Sequence, residues 1–258
     1  MTTPEEADVF GARRASFGAY AAEYDAVRPE WPPTTVAWML GSPTTGAVCR
    51  VVDVGAGTGK GTRAIAALGH DVIAVEPSDG MREAMASSLA ALPEEVAKRI
   101  TIMAGGAENM PLEGESADAI TAFQAWHWVD AEVAAVEAAR VLRPGGWLSM
   151  AWHQRSEDVG WTRELSDIVE DHENLPDDQE APPVAPEFDP FETELFSYDM
   201  RRSVEDLVLL ASTWSYVAIH PERGRVLDEV RALGRRVAGV DGMVEIPMTT
   251  RCYRLRRR

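Results

Sequence analysis

Residues 51–62 read VVDVGAGTGKGT. Two valines lead into Asp53, and glycines follow at 55, 57, 59 and 61. The apolar lead-in predicts a buried strand that ends near Val54. A helix is expected to begin near Thr58. Between them the chain must turn sharply and let a ligand approach its backbone, and glycine permits both. Amides at a helix start favour a negative or electron-rich group. A phosphate loop of the GxxxxGK[ST] type does not fit, because Gly59-Lys60 is followed by Gly61 and position 54 is valine. A GxGxxG dinucleotide fingerprint does not fit either, because its last glycine falls on Lys60. That makes a nucleotide-dependent oxidoreductase a poor reading. What remains is Asp53-x-Gly55-x-Gly57-x-Gly59.

The pattern continues outward from that turn. DVIAVE (71–76) reads as a second strand ending on Glu76, about 20 residues beyond Asp53. An acid there can accept both hydroxyls of a ribose, and it disfavours a 2′-phosphate. Helices are expected over 60–68, with Ile65 and Leu68 inward, over 79–91 with Met81, Met85 and Leu89, and over 131–142 carrying Val133, Val136 and Leu142. ITIMAG (100–105), ADAITAFQA (117–125) and WLSMAW (147–152) read as strands three to five, with Arg143-Pro144-Gly145-Gly146 as a turn before the last of them. This alternation predicts an α/β, doubly wound parallel sheet with helices on both faces. Ligands in such sheets bind beyond the carboxyl ends of the strands, where the strand order reverses. Residues 154–190 turn acidic and proline-rich, as an insert rather than a separate domain. A sixth strand is expected over 191–200, helices over 203–211 and 221–238, and a seventh strand over 243–256.

The chain has 258 residues and a formal net charge of −17. Its length suits one large domain with a real core. The charge argues against nucleic acid as substrate. The arginine-rich end RCYRLRRR reads as a last strand with a frayed, solubilising tail. Two cysteines, Cys49 and Cys252, exclude a disulfide framework. The opening residues lack a signal peptide's cationic start and apolar stretch, and no apolar run approaches a membrane span. A cytoplasmic protein, monomer or homodimer, without a membrane partner is the expectation.

Four segments together resemble the class I S-adenosylmethionine-dependent methyltransferases: DVGAGTG (53–59), AVEPSDGM (74–81), AENMPLEGESAD (107–118) and EAARVLRPGGWL (137–148). The ends resemble the small-molecule branch similar to trans-aconitate methyltransferase, through FGAYAAEYDAVRPEWP (17–32), AFQAWHWVD (122–130) and TWSYVAIHPER (213–223). The resemblance implies a Rossmann-like methyltransferase fold, a seven-stranded mostly parallel sheet with an antiparallel last strand, in a single domain. Residues 1–48 would form lid helices, 49–152 the cofactor core, and 153–258 the acceptor-pocket insert and final strands. It also implies S-adenosylmethionine as cofactor, leaving S-adenosylhomocysteine. Asp53, Gly55, Gly57 and Gly59 would lie at its methionine and ribose part, and Glu76 with Pro77 at the ribose. Ala107 and Glu108 would flank the adenine, and Gln124, at the end of the fourth strand, would also bind the cofactor. Tyr20, Tyr24 and Arg28 would close over the cofactor as a lid, Tyr24 and Arg28 binding it.

Methyl transfer is an in-line displacement that needs alignment, exclusion of water and, for some acceptors, removal of a proton. No metal is required, and the five histidines show no ligand spacing. His127 is the candidate catalytic residue, as a general base or as a donor that orients the acceptor. Trp126, Trp128, His153, Trp214 and Tyr216 are candidates for the walls of the substrate pocket. The segment 124–127 lacks the Asn/Asp-Pro-Pro-aromatic pattern of enzymes that methylate base amines or glutamine. A small-molecule acceptor is expected. The competing reading is a non-catalytic S-adenosylmethionine-binding regulator, which turnover would separate from an enzyme.

Overall fold

The computed structural model describes residues 25, 27–41, 47–156, 158–169 and 185–258. The expected lid residues Tyr20 and Tyr24 lie outside them. The described elements run α1 (Pro33–Met39), β1 (Arg50–Val54), α2 (Lys60–Ala67), β2 (Asp71–Val75), α3 (Asp79–Leu89), α4 (Glu94–Ala97), β3 (Ile100–Met103) and β4 (Ala117–Phe123). A 3₁₀ turn (Trp126–Trp128) leads to α5 (Ala131–Val141), β5 (Leu142–Arg155) and α6 (Gly160–Ile168). Then come β6 (Glu192–Ser203), α7 (Val204–Ser212), α8 (Ser215–Ala218), α9 (Arg223–Val237) and β7 (Met243–Arg256). Among the described residues no helix is long and apolar enough to cross a membrane.

The strands form one seven-stranded sheet in the order β3-β2-β1-β4-β5-β7-β6. Pairing is parallel from β3 through β5, and the last strand is antiparallel. The order reverses between β1 and β4, where Asp53 lies opposite Thr121. The carboxyl ends of these two strands are therefore neighbours, which is where such a sheet collects its functional residues.

The chain divides into two compact units. One comprises Glu30–His153, Asp177–Phe196 and Thr250–Arg258. Strand alternation gives its sheet two apolar faces. Val52, Val54, Ile120 and Met150 face a layer holding the alanines of α5. Val51, Ala119 and Ala151 face a layer holding Ile65, Met39 and Trp31. The other unit comprises Met1–Pro29, Gln154–Pro176 and Ser197–Thr249. Its core gathers Leu165 of α6, Leu207 and Leu210 of α7, Val230 and Leu233 of α9, and Val244 and Ile246 of β7.

Several local expectations are corrected. Leu68 is not inward: α2 stops at Ala67, Gly69 turns away at φ 92°, and Leu68 is left exposed. Thr62 and Ala66 join Ile65 on the buried face instead. Val133 and Val136 of α5 face outward, while Ala134, Ala135, Ala138 and Ala139 pack inward. Small residues let the helix lie close to the sheet. Residues 143–146 are not a free turn. Gly145 donates to Arg257 O at 2.9 Å, and Arg257 donates back to Gly146 O at 2.8 Å. Pairing with the end of β7 thus draws the Pro-Gly-Gly segment into β5. The arginine tail is not frayed. Arg254 pairs with Glu192 at 2.5 Å, Arg257 with Glu115 at 3.3 Å, and Arg258 with Asp189 at 3.1 Å.

Candidate active site

The turn after β1 is held by backbone bonds to β2. Gly55 and Ala56 both donate to Val75 O, at 2.9 and 3.3 Å. Gly55, Gly57 and Gly59 all have positive φ, at 62°, 57° and 86°. A Cβ on Gly55 would sit 2.7 Å from the Ala125 Cβ, and one on Gly59 would sit 2.7 Å from Met85 Cγ. Among the described residues, nothing lies within 4 Å of a Cβ on Gly57. The outer glycines are thus packed by protein, and the middle one faces open space. That is the arrangement of a backbone cradle.

Glu76 closes the cradle. It is only 6% exposed, yet its two oxygens each accept a backbone N–H, from Gly57 and from Ser78, both at 2.9 Å. Its own N–H donates to Met103 O at 3.1 Å, and its carbonyl accepts from Arg82 at 2.7 Å. The carboxylate is therefore fixed against the turn with lone pairs left for further donors. Pro77 beside it is exposed.

Asp53 lies beneath the turn. It is 1% exposed and accepts from Thr62 Oγ1 at 2.6 Å and Thr121 Oγ1 at 3.2 Å. Burial pushes its carboxyl up to about 7; the two threonine bonds oppose this, and the nearby charge of Glu76 adds to it. Asp53 supports the cradle from below by tying β1 to α2 and β4.

On the other side of the turn, Ala107 is buried in the core. Glu108 accepts the Asp130 N–H at 3.0 Å, and Asp130 caps α5 by accepting from Val133 N at 3.2 Å. The loop after β3 is thereby fixed to the start of α5.

The end of β4 is strained. Gln124 has φ 53°, unusual for a residue with a side chain, and such outliers gather at functional sites. Its N–H donates to Ala151 O at 2.9 Å, and its side chain donates to His153 O at 3.1 Å. The chain then enters the 3₁₀ turn. Trp126 is buried in the core. His127 and Trp128 are half-buried, with ring centres 4.9 Å apart. Trp152 of β5 donates from its indole N–H to His127 Nδ1 at 3.1 Å. His153 instead stacks on Trp31 at 3.7 Å, with its Nδ1 2.8 Å from Thr250 Oγ1.

Within the other unit, Arg28 is tied to Thr213, the chain neighbour of Trp214. Arg28 donates to Thr213 Oγ1 at 3.1 Å and to Thr213 O at 2.9 Å. Trp214 stacks on Tyr216 at 6.0 Å and lies 4.3 Å from the Arg155 guanidinium.

Sequence reasoning missed the roles of five residues that support the site. Gly61 lies against Phe123, where a Cβ would come within 2.2 Å of the ring. Lys60 is buried at the start of α2 and paired with Glu30. Thr62 and Thr121 hold Asp53, and Trp152 holds His127. Only Gly61 carried a signal, as a fourth glycine one turn beyond the cradle.

Comparison with known proteins agrees with this geometry. Residues 52–150 match a family described as a methyltransferase domain. The uncharacterized methyltransferase Rv3342 of Mycobacterium tuberculosis is 38% identical over 93% of this chain and 94% of its own length. The chain belongs to the class I S-adenosylmethionine-dependent methyltransferases. The uncharacterized methyltransferase C25B8.09 of Schizosaccharomyces pombe is 28% identical over 78% of this methyltransferase and 79% of its own chain. The crystal structure of the YcgJ protein from Bacillus subtilis shares the fold, with a TM-score of 0.55 at 18% identity over 86% of this chain and 97% of that one. The methyltransferase's own residues fit the family's cofactor: an open glycine cradle at Gly57 beside a fixed carboxylate at Glu76 suits a nucleoside carrying ribose hydroxyls.

Proposed function

We propose that this methyltransferase modifies an O, N or C atom of a small molecule, in the manner of the branch similar to trans-aconitate methyltransferase. One contact carries the reading. Gly55 lies so close to Ala125 that the platform of Trp126, His127 and Trp128 begins directly beside the cofactor cradle. Gly55, Gly57, Gly59 and Glu76 would hold S-adenosylmethionine, with Ala107 and Glu108 on the adenine side. That cofactor supplies a methyl group already activated on a positive sulfur. The protein's work is then to align the acceptor, keep water out and hold its polar atoms. Trp126 packs into the core and anchors the segment, Trp128 offers apolar surface, and His127 offers a polar handle at an acceptor atom. The net charge of −17, with the tail arginines Arg254, Arg257 and Arg258 engaged by carboxylates, supports a small acceptor over nucleic acid. Arg155 over Trp214, with Tyr216 stacked beside it, forms a second cationic and aromatic cluster suited to a carboxylate-bearing ligand.

The test is transfer of labelled methyl from S-adenosylmethionine to a panel of carboxylic acids, phenols and amines, run beside transfer RNA and protein. Label in a small-molecule product is the expected result. Label found only in nucleic acid or protein would refute the proposal.

A further inference from the structure

Trp152 sits on β5 and is 3% exposed. Its ring meets the edge of Tyr253 at 6.0 Å, and Tyr253 meets Phe191 at 5.6 Å, so neighbouring aromatic rings hold the indole in place. An indole N–H can only donate. It lies 3.1 Å from His127 Nδ1, which must therefore be the accepting nitrogen. A neutral imidazole carries one proton, and with Nδ1 accepting, that proton lies on Nε2.

We infer that Trp152 is a positioning residue that holds His127 as its Nε2–H tautomer, so that His127 offers the methyl acceptor a hydrogen-bond donor and not a base. This rests on the proposed placement of His127 at the acceptor. To take a proton at Nε2, the ring would need a lone pair there and its proton on Nδ1. That proton would face the Trp152 N–H, donor against donor. The favoured acceptor is therefore one whose attacking atom arrives with its lone pair ready, such as a carboxylate or another oxyanion. The Nε2–H then binds and orients that atom, and no proton needs to pass to His127. The same hydrogen bond discriminates against an acceptor that presents only donors to His127.

The tautomer can be read directly from two-bond nitrogen–proton correlations of protein labelled with nitrogen-15 in histidine. A His127→Asn variant assigns the signal. The expected result is a neutral His127 ring protonated at Nε2 in the wild-type protein. Trp152→Phe keeps the aromatic packing and removes the donor. It should shift the ring toward a mixture of tautomers and lower kcat about tenfold, the scale of one lost hydrogen bond, while leaving S-adenosylhomocysteine affinity unchanged. A wild-type ring protonated at Nδ1, or a tautomer unmoved by Trp152→Phe, would overturn the inference. The wild-type spectrum decides alone if the variant does not fold. Neither spectrum needs turnover, so failure of the tautomer prediction is distinguishable from failure of the acceptor assignment, which the methyl-transfer panel tests.

Discussion

Replacing Asp53 by asparagine should remove a pH dependence from the stability of the protein. In the fold its carboxyl is fully enclosed, and its pKa is raised to about 7 from an ordinary 3.8. Burial is the leading cause, and the Thr62 and Thr121 hydroxyls compensate only in part. The folded state therefore keeps a proton that the unfolded chain releases between these two values. The stabilisation is fully present below the unfolded pKa and is lost as pH rises through about 7. Each pH step in that window removes about 1.4 kcal/mol, so a rise from about pH 5 to about pH 8 costs about 3 kcal/mol. The substituted asparagine would carry no charge at either pH. Its amide can accept from one threonine and donate to the other, whose hydroxyl turns to receive it. Urea unfolding of both proteins at the two pH values gives the comparison. The variant should gain about 3 kcal/mol on the wild type between the acidic and the basic condition. A stability difference that is the same at both pH values would refute the claim that Asp53 is a buried proton-binding support of the glycine turn.

Three further outcomes follow from the site. Glu76→Ala should weaken S-adenosylhomocysteine binding by about 1–3 kcal/mol in calorimetry, through loss of a charged acceptor that also holds the Gly57 N–H. His127→Ala should leave that affinity nearly unchanged and lower turnover in the methyl-transfer assay; full activity would return His127 to a packing role. Gly61→Ala should destabilise the fold by about 1–3 kcal/mol in urea unfolding despite alanine's better helix propensity, because the added methyl meets the Phe123 ring.

The legible parts of the fold were those where one local rule dominates. VVDV, DVIAV and AITAF are mostly apolar runs because a parallel sheet buries both faces of its strands. The glycine turn and Glu76 were legible because positive φ and a strand-end acid leave few alternatives. Val133 and Val136 misled because hydrophobicity competes with size: alanine fits closer to the sheet than valine. Residues 143–146 misled because local turn chemistry gave way to pairing with a strand more than a hundred residues away. The Trp152–His127 bond was invisible for a related reason. It depends on the register that sets Phe123 beside Ala151, and nothing in the spacing of a tryptophan and a histidine announces it. Thr62 and Thr121 are likewise ordinary residues until the β1–β4 pairing and the first turn of α2 bring both to Asp53.

The central claim is that the open face of Gly57 and the fixed carboxylate of Glu76 form a nucleoside site for the methyl donor. Calorimetric titration with S-adenosylhomocysteine, with NAD as the control ligand, tests it most directly. The account predicts saturable binding of S-adenosylhomocysteine, lost or weakened in Glu76→Ala, and no heat from NAD. Binding of NAD without S-adenosylhomocysteine, or affinity indifferent to the loss of Glu76, would contradict it.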